Sequence, residues 1–500
     1  MTRKALWLLI AVGCVAGTSH AGEPAPARPT RRLSLEEAIA LALAHNLRLA
    51  AEKINPRRAQ AVVVEREAIF DPVAYGELTR EKLKEQQTDS IVSRRRQRAA
   101  GMMGVAKLLP PGTLVDVRAE ASREWRSDTP VTILGPAYSE EWGISIAQPL
   151  LRGFGVRVNT AGIATAVNER RMAQAQLRTV ALTTVADVCK GYWQLVFARR
   201  DRELLERSLE RAVEFREVVE ARVKARTIGA RDPAVAQAKA EAATRREALV
   251  AAEQTIREAE DRLKVLTDLA ADRSLWHAAI VPTAEPSDTA PRLEPDRAAE
   301  TALAERPDYR QARLAIDNQE ILLHVRRNEL KPRLDLAVGY GNSGLGGSWH
   351  RAEHELGSLD YFEWVVGLTF EVPIGNRAAR SRFRQTRLDR DQARLHLEAL
   401  ERQIQLEVRN AVRAVRVAAE RLRAATLSIE AERERLRAEE IRFRDARIGT
   451  IQDVLDAQDN LADAERRALQ ALIDLNQAVV EAERRQGTLL EAHHVRWEED

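Results

Sequence analysis

Aromatic residues make up only 4% of this 500-residue sequence, and cysteine occurs just twice. So few aromatic side chains argue against an ordinary large hydrophobic core. Two cysteines are too few for a disulfide framework. Beyond residue 21 there is no run of about 18 apolar residues, so the sequence predicts no helix that spans a bilayer.

Charge is abundant instead. Charged residues make up 31% of the sequence, yet the formal net charge is only +3. Arginines are interleaved with glutamates and form no one-sided basic patch, which argues against a nucleic-acid partner. Alanine, arginine, glutamate and leucine dominate, a composition typical of long helices that carry narrow apolar seams.

The first 21 residues have the pattern of an export signal. Arg3 and Lys4 precede an apolar run, and small residues at 19–21 offer a cleavage site. An alternative is lipoprotein processing, because Cys14 follows small residues and would become an acylated N-terminus. Both routes take the chain out of the cytoplasm.

The remaining sequence repeats itself. Three pairs of landmarks recur in the same order: ALAHNLRL (42–49) with ALAERPDY (302–309), Pro149 with Pro373, and Gly229 with Gly449. The spacing between the two members drops by about 36 residues after the first pair. The sequence therefore predicts two copies of one unit, with an insert in the first copy.

Each copy is predicted to contain short helices, a β region and a long helical hairpin. The predicted boundaries are signal peptide 1–21, first repeat 22–268 with β region 71–150 and hairpin 157–268, linker 269–295, second repeat 296–490 with β region 332–373 and hairpin 376–490, and polar tail 491–500. A helix of about 70 residues is roughly 105 Å long, so it must pack laterally against others like it. A seam of apolar and small residues at spacings of 3 and 4 supports such packing. The seam comprises Leu397, Leu400, Ile404, Val408, Ala411, Val415, Ala418, Leu422, Ala425 and Ile429.

The β segments alternate apolar and small or polar residues. The stretches RLDLAVGYG (333–341) and EWVVGLTFEV (363–372) follow this alternation, as does the chain around Trp142, Ile144 and Ile146. This pattern is typical of outer-membrane barrel strands, although a half-buried soluble sheet shares it. About four such strands are expected per chain. Since the smallest barrels need about eight strands, the barrel must be shared between chains.

Two stretches of the insert have separate interpretations. Residues 101–121 are compatible with an extra hairpin that turns at 110–113, either in the barrel wall or above it. Residues 80–98 are highly charged and are expected to form an exposed loop.

Further landmarks point to a known family. They are SLEEAIALAL (34–43), FDP (70–72), QPLLRGFG (148–155), VADVCKGYWQLVFA (185–198), RPDYRQARL (306–314), LGG (345–347), VPIGNRAAR (372–380) and IGTIQDVLDAQDNLADAE (448–465). In their order, spacing and duplication they resemble the TolC-like outer-membrane efflux and exit-duct proteins. The resemblance implies an α+β membrane protein: a homotrimer whose twelve-stranded outer-membrane barrel continues into a helical coiled-coil barrel in the periplasm.

The resemblance also assigns roles to residues. It places strand-to-helix junctions at Pro149 with Gly153 and Pro373 with Gly375, tips that dock a periplasmic adaptor at Gly229, Asp232, Arg447 and Gly449, and a periplasmic gate at Asp453 and Asp456. The adaptor would be served by an inner-membrane pump or secretion transporter. The alternative for Asp453 is an ordinary helix-start role. The first tip departs from the family pattern, because Pro233 directly follows Asp232.

No catalytic or cofactor motif is evident. His350 and His354 lie four residues apart, but in a glycine-rich stretch where no helix is expected, so no metal site is predicted there. Taken together with the resemblance, this absence of motifs predicts a passive channel without cofactor. The main alternative is a periplasmic coiled-coil adaptor, which would ordinarily have one helical hairpin beside a compact β module.

Overall fold

The computed structural model describes residues 29–84, 95–127, 135–225, 229, 233–444 and 450–495. The strands are β1 (Thr30–Leu33), β2 (Val73–Lys84), β3 (Arg95–Leu108), β4 (Leu114–Ser127), β5 (Ala137–Pro149), β6 (Ala279–Pro282), β7 (Arg333–Gly346) and β8 (Phe362–Glu371). The helices are α1 (Leu35–His45), α2 (Leu47–Glu52), α3 (Ile54–Glu67), α4 (Val156–Asn159), α5 (Ala161–Lys224), α6 (Pro233–Leu266), α7 (Arg273–Trp276), α8 (Pro295–Glu305), α9 (Pro307–Glu329), α10 (Trp349–Ser358), α11 (Arg377–Arg444), α12 (Ile451–Gln486) and α13 (Leu489–Ala492).

Four long helices form two hairpins of closely similar dimensions. Helices α5 and α6 have 64 and 34 residues, and α11 and α12 have 68 and 36. At 1.5 Å per residue, α11 is roughly 100 Å long. In the described part of the chain, no helix is both long enough and apolar enough to cross a bilayer.

The apolar seam of α11 is buried in its middle part. Ile404, Val408 and Val415 are almost inaccessible, whereas Leu397 and Ile429, near the two ends of the seam, are only half-buried. The buried part packs against α8 and α12. One chain therefore leaves the ends of the seam partly uncovered, as expected of a helix that packs further against other copies.

A parallel pair of short strands fixes the middle of the long helices. Strands β1 and β6 pair beside α5, where Tyr192 is fully buried. The Tyr192 hydroxyl donates to the carbonyl of Leu33 (3.0 Å) and accepts from the amides of Thr283 (2.9 Å) and Ala284 (2.8 Å). The segment 269–295, predicted as a linker, thus also contains α7 and β6 and is held against the helices.

Within the described residues, the largest sheet has six antiparallel strands in the order β2-β3-β4-β5-β7-β8. The expectation of about four strands was therefore too low. The turn predicted at 110–113 is confirmed, and its hairpin, β3–β4, lies within the sheet between β2 and β5. Residues 80–98 are not simply a loop, because β2 extends to Lys84 and β3 begins at Arg95.

The two faces of this sheet differ sharply in chemistry. Directly paired residues share a face, and one face, the apolar face, carries large apolar side chains. It includes Met103, Val105, Val117, Ile144, Ile146, Val338, Tyr340, Trp364, Val366, Leu368 and Phe370. The opposite, polar face includes Glu77, Asp116, Arg118, Glu120, Ser145, Gly339, Gly341 and Glu363. Trp364, Leu368 and Phe370 are each more than 60% exposed, so in the described part of one chain this region of the apolar face lacks a partner.

A cluster of charged side chains joins four helices near the middle of the molecule. Glu481 of α12 accepts from Lys190 of α5 (2.8 Å) and from Arg485 (2.8 Å). Arg485 also contacts Glu407 of α11 (2.8 Å), which in turn binds Arg306, at the start of α9 (2.8 Å). These ion pairs are partly buried, so they are screened less than surface pairs.

Two neighbouring glutamates of α12 are expected to have opposite effects on stability. Its basic partners hold the pKa of Glu481 at about 2 despite burial, whereas burial raises the pKa of Glu483 to about 7. A lowered carboxyl pKa stabilises the fold above pH 4.5, and that contribution is lost as pH falls toward 2. A raised pKa means that stability falls as pH rises from about 4.5 through 7.

We therefore expect Glu481→Gln to lower stability at pH 7 by about 1–2 kcal/mol, with a smaller effect toward pH 3. Glu483→Gln should raise stability at pH 8 and have little effect at pH 4. Thermal unfolding midpoints measured between pH 3 and pH 9 test both variants, each serving as the control for the other. The same pH dependence in both variants would contradict these assignments.

Candidate functional site: strand-to-helix junctions and hairpin ends

The first junction between the sheet and the long helices is built from glycines and two asparagines. Pro149 is the last residue of β5, and Gly153 and Gly155 follow with φ of +85° and +111°, values that favour glycine. The side-chain amide of Asn159 donates to the carbonyls of Gly153 (2.8 Å) and Gly155 (3.0 Å). The side-chain oxygen of Asn328 accepts from the Gly153 amide (2.7 Å).

The second junction has the same elements in a shorter form. Pro373 follows the end of β8, and Gly375 and Asn376 have φ of +80° and +38°. The Asn376 side chain donates to the carbonyl of Leu330 (3.2 Å). Since Leu330 directly follows the last residue of α9 and lies two residues after Asn328, both junctions are held by the same helix end.

Asn328 was not singled out from the sequence. It is only 7% exposed and bonds to a loop 175 positions away, with a second bond from its amide to the carbonyl of Leu151 (3.3 Å). An asparagine at the end of a helix is an ordinary occurrence, so the sequence offers no signal for this long-range contact.

The predicted docking tips are described only in part. Gly229 is exposed and lies between the ends of α5 and α6. Asp232, Arg447 and Gly449 lie outside the described residues, so their proposed roles stay predictions.

An apolar cluster joins the two hairpins close to these tips. The rings of Phe215 on α5 and Phe443 on α11 lie 5.4 Å apart, and Val219 and Val454 are fully buried beside them. Arg222 lies over the Phe443 ring at 4.0 Å and donates to its carbonyl (3.0 Å). The end of α5 is thus attached to the α11–α12 hairpin.

The two predicted gate residues lie on the first turns of α12. Asp453 forms a capping box with Thr450, and the Thr450 hydroxyl and amide hold the pKa of its carboxyl below the usual value. Asp456 accepts from the side chain of Gln452 (2.6 Å). Both aspartates are exposed. The alternative role of Asp453, at the start of the helix, therefore has a direct structural basis. Asp456 has no such capping role.

A buried arginine links the two hairpins a few turns above the tips. Arg245 of α6 is 6% exposed and donates to the backbone carbonyl of Ser208 on α5 (3.0 Å) and to Asp459 on α12 (2.5 Å). Burial raises the pKa of Asp459 even with the Arg245 guanidinium beside it. We call Ser208, Arg245 and Asp459 the hairpin clamp.

Three further ion pairs reinforce the hairpin clamp. Glu465 of α12 contacts Arg211 of α5 (3.5 Å) and Arg433 of α11 (3.3 Å), and Arg466 contacts Asp201 of α5 (3.0 Å). These ion pairs were not predicted, because each helix on its own shows only alternating charge.

In the part of the chain that the structure describes, metal-binding side chains do not assemble into a cluster. The described residues contain no group of three or more His, Cys, Asp or Glu side chains placed to hold a metal ion. His350 and His354 do lie on a helix, α10, so the expectation of a loop there was wrong. Ser348 caps this helix, with its hydroxyl accepting from the Arg351 amide (3.4 Å).

Comparisons with known proteins agree with this architecture. Residues 298–484 match the family model described as outer membrane efflux protein. The fold is similar to the outer-membrane channel OprN (20% identity, TM-score 0.66, 91% of this chain and 90% of that chain). It is also similar to VceC of Vibrio cholerae (17% identity, TM-score 0.64, 91% and 96%) and to the CmeC channel of Campylobacter jejuni (16% identity, TM-score 0.62, 91% and 86%).

A search of curated protein sequences gives no match. The family match and the shared fold confirm the resemblance to TolC-like outer-membrane efflux proteins and support the predicted placement in the outer membrane.

We expect Arg245→Met to loosen the first turns of α12, because it removes the side chain that bonds to both α5 and α12. A loss of about 1–2 kcal/mol should speed hydrogen exchange of the α12 amides around Leu461 roughly tenfold. Arg246→Met is the matched control, since Arg246 is exposed on the same helix. Equal exchange rates in the two variants would show that the hairpin clamp does not hold α12.

Proposed function

We propose that this protein is a passive channel of the outer membrane through which substrates leave the periplasm. The observation that carries the proposal is the six-stranded sheet, apolar on one face and polar on the other, joined directly to helices about 100 Å long. An apolar outside and a polar inside are what a lipid-embedded, water-filled wall requires. The long helices would extend that wall into the periplasm.

The channel is a homotrimer in this proposal, with each chain contributing part of one barrel and part of one helical tunnel. Within the described residues of one chain, β2 and β8 are the edges of the sheet. An open edge cannot face lipid, because its backbone groups would lack hydrogen bonds. Several copies, joined edge to edge, satisfy those groups.

The partners follow from the family resemblance. A periplasmic adaptor would dock at the helical tips, around Gly229 and Gly449, and an inner-membrane pump or secretion transporter would deliver the substrate. The channel itself performs no turnover and needs no cofactor. Asp453 and Asp456 would form rings of carboxylates at the periplasmic mouth, favouring cations.

The alternative, a periplasmic coiled-coil adaptor, accounts less well for the structure. An adaptor would need one helical hairpin, and this chain has two, each preceded by strands of the same sheet. A water-soluble adaptor would also not be expected to expose the part of the apolar face that contains Trp364, Leu368 and Phe370.

Membrane fractionation separates the two possibilities. We expect the full-length protein in the outer-membrane fraction, and as a heat-sensitive trimer after extraction in detergent. A protein recovered entirely in the soluble periplasmic fraction would favour the adaptor.

The gate assignment can be tested with single channels in planar bilayers. Asp456→Asn should reduce the preference for cations and change the conductance, because three carboxylates near the symmetry axis would be neutralised. Asp453→Asn should add to this effect, but it also disturbs the capping box with Thr450. Asp288→Asn, in the exposed segment between β6 and α8, is the control. Currents of both gate variants that match those of the control would reject the assignment.

A further inference from the structure

The β3–β4 hairpin is the feature that the family resemblance does not account for. The second half of the chain supplies two strands to the large sheet, β7 and β8, whereas the first half supplies four. The added hairpin separates β2 from β5 and pairs with both along nearly its full length. Its turn lies at the first junction, where the Gly155 amide donates to the carbonyl of Pro111 (3.1 Å).

The hairpin has the same two faces as the rest of the sheet. Gly101, Met103, Val105, Val115, Val117, Ala119 and Ala121 form the middle of its part of the apolar face, and the charged residues of that face, Lys107, Arg95 and Arg123, lie towards its two ends. Asp116, Arg118 and Glu120 lie on the polar face. A hairpin that stood in water above the membrane would have no need of this separation.

Side-chain contacts on the polar face tie the hairpin into the plane of the sheet. The Tyr75 hydroxyl of β2 reaches over β3 to Asp116 of β4 (2.7 Å). The tyrosine ring crosses Gly104, where an added Cβ would lie only 2.5 Å from it. Arg98 of β3 contacts Glu120 of β4 (2.6 Å). The first contact requires three neighbouring strands in order, with glycine at the crossing.

The register across the sheet gives the slope of the strands. From Val73, the first residue of β2, the successive paired residues are Ala106, Asp116, Ser145, Gly339 and Val365. Val365 lies six residues before Glu371, the end of β8. The offset along the strands is therefore six residues of about 3.3 Å each, and it accumulates over five inter-strand spacings of about 4.8 Å. Together they give a strand tilt of about 40°. Strands of transmembrane barrels are tilted by about 35–45°.

The two edge strands of the sheet, β2 and β8, are complementary in direction and in side-chain size. With six strands, β2 and β8 run in opposite directions, so β8 of one copy and β2 of the next pair antiparallel, as closed outer-membrane barrels require. Near the helices, the apolar face of β2 has the small residues Ala74 and Gly76, whereas that of β8 has Leu368 and Phe370. Large side chains on one edge would therefore meet small ones on the other.

We infer that the β3–β4 hairpin is part of the barrel wall, so that each copy contributes six strands and a trimer closes with eighteen rather than twelve. The inference rests on the proposed function, because it requires a barrel shared by three copies. Barrel diameter grows roughly in proportion to strand number, so the pore in the membrane would be about half as wide again. The added wall would line it with Asp116, Arg118 and Glu120.

Electron cryo-microscopy of the detergent-purified assembly counts the strands directly. Eighteen strands, with β8 of each copy beside β2 of its neighbour, are the expected result. A twelve-stranded wall with the hairpin folded out of it would overturn this inference and leave the proposed channel intact. A monomer without a barrel would overturn both.

Cysteine labelling in intact outer membranes gives a second, independent measurement. Of the two native cysteines, Cys14 lies in the predicted export signal, and Cys189 is fully buried with a pKa that burial raises to about 12, so its thiol reacts poorly. We expect Arg118→Cys to react with a water-soluble maleimide and Val117→Cys to react only with a bilayer-soluble one. The control pair on β7 is Gly339→Cys and Val338→Cys, which should show the same alternation.

The combined labelling results separate the two hypotheses. Water-soluble labelling of Val117→Cys, with Val338→Cys protected, would place the hairpin outside the wall. Water-soluble labelling at both positions of the β7 pair would contradict the barrel itself.

Discussion

The backbone hydrogen bonds along β2 and β8 are the requirement on which the rest of this structure depends. Each N–H or C=O left unpaired in lipid costs several kcal/mol, and each edge strand presents a row of them. In the described part of one chain these groups have no neighbouring strand. In the proposed channel, completing the sheet therefore requires more than one copy. The half-covered seam of α11 adds the same requirement, because its outer parts need helices that one chain does not supply.

The sheet and the helices are connected through a small number of polar contacts. Asn328 and Leu330, at the end of α9, hold the two junctions, so α9 is their common support. Below them, Arg306 at the start of the same helix belongs to the charged cluster with Glu407 and Arg485. One helix of 23 residues thus joins the base of the sheet to the middle of the long hairpins. A large apolar core would define the orientation of the sheet relative to the helices less closely, because apolar contacts are not directional.

Much of this architecture was predictable from the sequence, for identifiable reasons. The 3- and 4-residue spacing of Ile404, Val408 and Val415 and the twofold alternation around Val338 and Trp364 each reflect local geometry. The extra strands were harder to predict, because β2 and β3 carry charged residues at their far ends, Lys84 and Arg95, that resemble a loop. Hairpin formation by 101–121 was recognisable, but its place in the sheet depends on pairing with strands distant in sequence.

The side-chain links could not be predicted for the same reason. Arg245 meets Asp459 across 214 positions, and Asn328 meets Gly153 across 175. In the sequence, the surroundings of Arg245 and of Asn328 resemble those of many other arginines and asparagines. Helix α10 was missed because the glycines before it suggested a loop. Gly344 and Gly346 instead make room for the helix: a Cβ on Gly344 would lie 2.0 Å from the Ala352 carbonyl oxygen.

That close packing of α10 has a consequence for the surroundings of the protein. Gly344 and Gly346 belong to the apolar face, so α10 covers that face at the end of the sheet far from the long helices. Acyl chains cannot occupy the space filled by this helix. In the proposed barrel, Asn342, buried beneath α10 with its amide bonded to the Leu356 carbonyl (2.5 Å), would therefore mark the upper boundary of the hydrocarbon layer, and the exposed His350 and His354 would lie among headgroups or in the external medium.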